Sequence, residues 1–111
     1  MHEINRDDFS KIDIRTGTVL TAGLFPEAHK PAYKLEIDFG ELGIKKTSAQ
    51  ITQLYGPEEL VGLQVIAVVN FPPKQIGPFM SEVLVLGAIG SDGEVTLLST
   101  TSVVKNGLRI G

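Results

Sequence analysis

The stretch VVNFPPKQIGPFMSEVLVLG, residues 68–87, concentrates side chains that are suited to binding another molecule. It offers aromatic and thioether groups for apolar contact, and methionine adapts to partners of varied shape. Its three prolines restrict the backbone, so a surface built on this segment loses less conformational entropy on binding. We predict a binding surface made of an apolar centre and a polar rim: Phe71, Lys74, Gln75, Phe79 and Met80.

Residues for metal or covalent chemistry are sparse. The chain has no cysteine and two histidines, and His29 has only Glu27 as an acidic neighbour in its loop. A metal site usually needs three or four converging ligands, so we expect neither a metal nor a cofactor. No phosphate-binding glycine loop or G-x-S-x-G elbow occurs. The sequence therefore predicts a binding module and not an enzyme.

Composition sets further limits. The chain has 111 residues, 42% of them hydrophobic, which suits a single domain over 1–111. No apolar run approaches the roughly 20 residues that span a bilayer, so we expect no membrane insertion. The N-terminal residues lack the pattern of a signal peptide, which predicts a cytoplasmic location. A net charge of −3 does not favour non-specific nucleic-acid binding.

The elements that must position these residues read mainly as strands. YKLEIDF, residues 33–39, alternates strictly between apolar and charged side chains, as a half-buried strand does. The run from Ile12 also alternates, and Gly17 within it suggests a bulge or a bend. Further strands are predicted in IKKTSAQI, LQVIAVVNF and EVLVLGAI. Asn5 predicts a helix over about 6–10, and Pro57 predicts a helical turn between the third and fourth strands.

Five main strands with a short helix before the fourth favour an all-β fold, a closed five-stranded Greek-key barrel of the OB type with N- and C-terminal extensions. A β-sandwich is the alternative, but it usually needs about seven strands. In such a barrel, Phe71 could belong to the core or to the loop surface, whereas we expect Phe79 to be exposed. We interpret residues 68–87 as the connection between the fourth and fifth strands, which flanks the ligand face of OB folds.

The fourth and fifth strands are apolar on both faces, although a small barrel buries only its inner face. The outer residues Ile66, Val68, Leu84 and Leu86 therefore need a cover. The terminal segments or a second copy of the chain could supply it. We predict a two-fold homodimer that uses these strands together with the N- and C-terminal extensions.

The blocks KPAYKLEIDFG, KKTSAQIT, VIAVVNFPPKQIGPFMSEVLVLG and NGLRIG resemble the CsaA family of export-related chaperones over nearly the whole chain. CsaA proteins are similar to the tRNA-binding domain that occurs free in bacteria and attached to some aminoacyl-tRNA synthetases. The resemblance implies an OB barrel, a homodimer, and binding of unfolded preproteins or peptides with a role in secretion. It therefore makes the binding surface predicted in residues 68–87 the expected peptide-binding site.

The match to the tRNA-binding domains is looser. Their motif runs Lys-x-Arg-Gly and then Ser-x-Gly-Met-x-Leu, and Lys74, Gly77, Ser81 and Leu86 match it. Ile76 stands at the arginine position, which removes a bidentate contact to phosphate or base. Binding of tRNA or structured RNA remains the alternative function. The residues expected to serve it are cations and a hydroxyl near one face: Lys34, Lys45, Lys46, Lys74 and Ser81.

Overall fold

Strands dominate the chain, and the computed structural model describes all of residues 1–111. Nine strands follow in chain order: β1 (Ile14–Leu24), β2 (Tyr33–Asp38), β3 (Ile44–Ala49), β4 (Gln64–Val68), β5 (Lys74–Ile76), β6 (Phe79–Ser81), β7 (Leu84–Val85), β8 (Gly87–Ile89) and β9 (Val95–Leu97). The helical elements are α1 (Arg6–Ser10), a 3-10 turn (Gly40–Leu42) and α2 (Pro57–Leu60). Both predicted short helices are present.

Five strands form one antiparallel sheet in the order β3-β2-β1-β4-β7. The sheet curls until its two edge strands meet at one end. There the Glu82 N–H donates to the Lys46 carbonyl at 2.8 Å, and the Thr47 hydroxyl donates to the Val83 carbonyl at 2.7 Å. The sheet is thus a nearly closed five-stranded barrel, and the predicted OB-type fold is confirmed.

The core follows from the alternation along β2. Leu35 and Ile37 point inward and are almost completely buried, together with Phe39 just after the strand. Burying each such side chain contributes about 1.5–3 kcal/mol relative to leaving it exposed. Gly17 lies against this cluster, because a Cβ there would approach Ile37 and Phe39 to 2.7 Å. The glycine therefore serves close packing. The irregularity in β1 that was predicted at this position lies instead between Val19 and Thr21.

The outer face of β4 is covered within the chain. Ile66 and Val68 are only 9% and 6% exposed. Thr16, which pairs with Ile66 across β1 and β4, is fully buried, and its hydroxyl donates to the Lys105 carbonyl at 2.8 Å. The Gln64 amide donates to the Val104 carbonyl at 2.7 Å. The segment 104–108 therefore lies over the outer face of β4. Of the two covers that the sequence left open, the terminal segments or a second copy, the C-terminal segment supplies this one.

The Arg15 side chain links β1 to the segment 104–108. Its Nη1 donates to the Gly107 carbonyl at 3.0 Å, and its Nε donates to Asp13 Oδ1 at 2.6 Å. The hydrogen bond with the Asp13 carboxylate raises the pKa of the Arg15 guanidinium above its already high usual value. The guanidinium therefore stays charged at every physiological pH.

The predicted fifth strand is divided at Leu86. The Leu86 N–H donates to the Ile66 carbonyl at 2.8 Å, while its carbonyl accepts from the Leu98 N–H at 3.2 Å. The chain thus changes partners from β4 to β9 at this residue, which separates β7 from β8 and the hairpin with β9. No helix in the chain has the length and apolar character needed to cross a bilayer.

Candidate functional site

The connection between β4 and β7 contains a β-hairpin and is not an irregular loop. β5 and β6 pair antiparallel, and the turn is at Gly77, whose φ of 55° falls in the left-handed region that glycine favours. Gln75 lies opposite Met80, and Ile76 lies opposite Phe79. Because successive side chains of a strand point to opposite faces, Gln75 and Met80 share one face of the hairpin and the Ile76–Phe79 pair occupies the other.

One side of this hairpin contributes to a surface that we call the lysine-aromatic face, made of Phe25, Lys34, Lys46 and Phe79. The two phenylalanine rings are tilted at 59° with centroids 5.2 Å apart. The ammonium of Lys34 lies 5.1 Å from the Phe25 centroid, and that of Lys46 lies 5.5 Å from the Phe79 centroid. Both distances are within the range of cation–π attraction.

The two lysines of this face are not engaged in ion pairs within the chain. The ion pairs of the chain join Lys11 to Asp8 and Arg15 to Asp13, and neither involves Lys34 or Lys46. A depression of about 490 Å³ lies between these lysines and the end of β1. Such a surface can attract a polyanion through its cations and offer ring faces for stacking.

Lys74 and Ile76 of the hairpin border an apolar cleft, which we define by its two walls, residues 48–51 and residues 83–87. The cleft has a volume of about 660 Å³. Phe71, Pro72, Lys74 and Ile76 close it at the hairpin end, and Ile89 and Val95 close it at the β8–β9 end. Three of its apolar side chains are largely open to solvent: Phe71 at 54%, Leu84 at 49% and Ile89 at 78% exposure.

The five residues predicted to bind a peptide lie at three different places. Phe71 and Lys74 line the cleft. Gln75 and Met80 point away from it on the outer face of the hairpin, and Gln75 also bonds locally to the Gly77 carbonyl at 2.7 Å.

Phe79 belongs to the lysine-aromatic face. Its expected exposure is wrong, since the ring is half-buried against Phe25. By contrast, Phe71 lies on the surface. The sequence alone did not decide between a core and a surface position for this residue.

The residues of the RNA alternative are also separated. Lys34 and Lys46 lie together, but Lys45 pairs with the inward-facing Ile37 and so projects to the other side of the sheet. Lys74 borders the cleft. Ser81 is engaged in barrel closure, because its hydroxyl accepts from the Ser48 N–H at 3.0 Å.

The four residues predicted for the dimer interface differ in exposure. Ile66 and Val68 are buried within the chain and present little surface to a partner, because residues 104–108 lie over this part of the barrel. Leu84 and Leu86 line the cleft, where Leu84 is exposed and Leu86 is half-buried.

Phe25 is the residue of the site that the sequence analysis missed. The signal for it was an aromatic residue placed directly before proline at the start of the β1–β2 loop, FPEAHKPA. No group of three or more histidine, aspartate or glutamate side chains is arranged to hold a metal ion.

Known proteins resemble this chain over its full length. Residues 14–109 match the family described as "Putative tRNA binding domain". The solved structure of chaperone CsaA from Bacillus anthracis is 53% identical with a TM-score of 0.95 and covers 99% of this chain and 100% of its own. The CsaA chaperone of Picrophilus torridus is 55% identical with a TM-score of 0.92 and covers 98% and 100%.

Methionine–tRNA ligases are more distant relatives. The ligase of Porphyromonas gingivalis is 37% identical over 108 residues, which is 97% of this chain but only 16% of the ligase. The chain thus spans about a sixth of the length of these curated relatives. From the family match and the full-length likeness to the two chaperones, we conclude that the chain belongs to the tRNA-binding domain family and, within it, is a relative of the CsaA chaperones.

Proposed function

We propose that this protein is a molecular chaperone that binds unfolded preproteins or peptides in the apolar cleft, with a role in protein secretion. The observation that carries the proposal is the open cleft of about 660 Å³ whose exposed lining includes Phe71, Leu84 and Ile89. The full-length likeness to two proteins that are named CsaA chaperones supports it.

The physical argument is that unfolded chains expose the apolar side chains which folded proteins bury. Transferring such a side chain into the cleft stabilises the complex by about 25 cal/mol for each Å² removed from water. Pro72 stiffens the wall that carries Phe71, which reduces the ordering cost of binding. Lys74 at the rim adds a charge for polar groups of the bound segment. We propose that the protein acts by binding alone, without catalysis or a cofactor, and that it does so in the cytoplasm, where preproteins are made.

The direct test is a titration of the protein into a fluorescently labelled, unfolded peptide that carries a signal sequence, followed by fluorescence anisotropy. We expect saturable binding. Unlabelled tRNA is then added to the saturated complex and should not displace the peptide, because the cleft and the depression at the lysine-aromatic face share no lining residue. Absence of saturable peptide binding would overturn the proposal.

A second candidate function is binding of tRNA or structured RNA at the lysine-aromatic face. The specific observation in its favour is that unpaired Lys34 and Lys46 lie beside the tilted Phe25–Phe79 pair. In OB folds, strands 2 and 3 and the two loops that supply these phenylalanines form the oligonucleotide-binding surface. The affinity for tRNA should fall with salt by a log–log slope of about −0.9 for each neutralised phosphate. A flat salt dependence would contradict it.

We further propose that the protein is a homodimer. Large apolar side chains remain exposed on the N-terminal segment and near the end of the chain, among them Ile4, Phe9, Val103 and Leu108. Surface of this kind is typical of an interface between copies. Sedimentation at micromolar concentration should give twice the mass of one chain, and a monomeric mass would refute this part of the proposal.

A further inference from the structure

We propose that an extended peptide binds in the cleft by strand addition, pairing its backbone with the free groups of Val85 and Gly87 at this strand edge. This inference rests on the proposed peptide-binding function and specifies how the peptide is held. The occupant to which it commits is an extended, unfolded polypeptide segment.

The first observation is the direction of the backbone groups along this edge. The Leu86 N–H donates to Ile66, and the ladder between β4 and β7 also pairs Leu84 with Val68. The ladder between β8 and β9 continues with the Ala88–Thr96 pair. In antiparallel ladders, residues between the hydrogen-bonded positions direct their N–H and C=O groups to the opposite side. Val85 and Gly87 therefore direct theirs away from β4 and β9, towards the cleft.

The second observation is that nothing in the chain pairs with those groups. β3 and β7, the edge strands on the two sides of the cleft, form no ladder with each other. A single backbone hydrogen bond, from Glu82 to Lys46, joins these two edges before they diverge. Unpaired backbone groups at a strand edge are a ready template for another strand.

The third observation is that the cleft has the lining such a strand requires. Leu84 and Leu86 on one wall, Phe71 and Ile76 at the hairpin end and Ile89 at the far end are apolar and exposed or half-buried, so they would contact the side chains of an inserted strand. Backbone pairing gives affinity that is independent of sequence, while the apolar walls favour hydrophobic segments. A protein that binds many unfolded segments needs this combination. A small rigid ligand would leave the row of N–H and C=O groups unsatisfied.

The decisive experiment uses a fluorescein-labelled octapeptide of alternating leucine and serine with lysine at both ends, together with two versions that are N-methylated at alternate backbone positions. We expect one of the two N-methylated peptides to bind at least ten times more weakly than the unmodified peptide, and the affinity of the other to change less than threefold. The reason is that an added strand directs only every second N–H to its partner edge. A peptide with the same composition in scrambled order should bind within about threefold of the original.

Amide hydrogen exchange, measured by NMR on the ¹⁵N-labelled protein, provides the matching readout on the protein. The Val85 and Gly87 amides should exchange at least tenfold more slowly when the octapeptide is bound. The Ala88 amide, which the β8–β9 ladder already pairs, serves as the control and should change little.

The outcomes separate the inference from the proposed function. If the octapeptide and the signal-bearing peptide bind, but both N-methylated peptides bind as tightly as the unmodified octapeptide, strand addition is wrong and the chaperone proposal stands. If neither unmodified peptide binds, both are wrong. If the Val85 and Gly87 amides are protected by raising the protein concentration without peptide, a second copy of the chain occupies the cleft, and that also overturns the inference.

Discussion

The cleft and the lysine-aromatic face share one hairpin but differ in almost every physical property. The cleft is apolar, and its wall at residues 83–87 presents free backbone groups. The lysine-aromatic face presents two unpaired cations beside two aromatic rings. The first arrangement suits polypeptide backbone with apolar side chains, and the second suits phosphate and base. One barrel thus carries two surfaces of different chemistry, and substitutions can address each surface alone.

The largest effect is expected from reversing the charge of the lysine-aromatic face. The double substitution Lys34→Glu and Lys46→Glu should weaken tRNA binding by about 100-fold, on the order of 1.4 kcal/mol for each reversal, and should flatten the salt slope. Peptide affinity should stay within about twofold, since neither lysine lines the cleft. Filter binding and peptide anisotropy at one fixed salt concentration measure both affinities.

Lys45→Glu is the matched control for this pair. It changes the same charge on the same strand, but Lys45 lies on the opposite side of the sheet. Equal losses of tRNA affinity in Lys45→Glu and in either single lysine variant would show that only the net charge matters and that the face is no specific site.

The next largest effect concerns the cleft. Phe71→Ala combined with Leu84→Ala should weaken peptide binding by roughly 30-fold, since each truncation removes apolar contact worth on the order of 1 kcal/mol. The tRNA affinity should be unchanged. The control is Gln75→Ala combined with Met80→Ala, on the outer face of the hairpin. If that control loses as much peptide affinity, the peptide binds to the outer face and the cleft is not the site.

An intermediate effect is expected for Phe79→Ala. Stacking of a base on an aromatic ring contributes about 1–3 kcal/mol, so tRNA affinity should fall roughly tenfold. Losing the contact with Phe25 should also lower the free energy of unfolding by about 0.5–1.5 kcal/mol. Thermal denaturation separates the two effects, and Phe79→Tyr should restore both. A variant that loses stability but keeps its tRNA affinity would restrict Phe79 to a packing role.

The smallest effect is expected from removing the negative charge of Glu36 beside the lysine-aromatic face. Glu36 lies opposite Lys46 in the ladder and borders the same depression, where its carboxylate accepts from the Thr21 hydroxyl at 2.9 Å. Glu36→Gln removes a negative charge there while keeping an acceptor, and should raise tRNA affinity about twofold. The test is a titration at low salt, where surface charges are least screened. A fall in affinity would mean that the carboxylate itself contacts the RNA.

Much of the fold could be predicted because short sequence patterns determine the individual strands and helices. The alternation in residues 33–39 determined which side of β2 faces the core, and Asn5 indeed caps α1, with its side chain accepting from the Asp8 N–H at 2.8 Å. Each of these signals depends on residues close together in the chain.

The site was harder to predict because it depends on pairing between segments. The composition of residues 68–87 indicated a binding surface but could not show that Ile76 and Phe79 would pair in a hairpin. That register puts Ile76 and Phe79 on one face of the hairpin and Gln75 and Met80 on the other. Phe25 enters the site only because the β1–β2 loop meets the hairpin in space. The cover over Ile66 depends similarly on Thr16 meeting Lys105.

The bonds between β1 and residues 105–110 have a consequence for biosynthesis. The Leu108 N–H donates to the Thr16 hydroxyl across a separation of 92 residues, and the Thr16 N–H donates back to the Leu108 carbonyl. At 5–20 residues per second, translation takes on the order of 5 to 20 s to cover that separation. Until then one edge of β1 in the nascent chain has no partner, and open strand edges invite aggregation. The newly made protein is thus, for some seconds on each ribosome, the same kind of unfolded chain that we propose it protects.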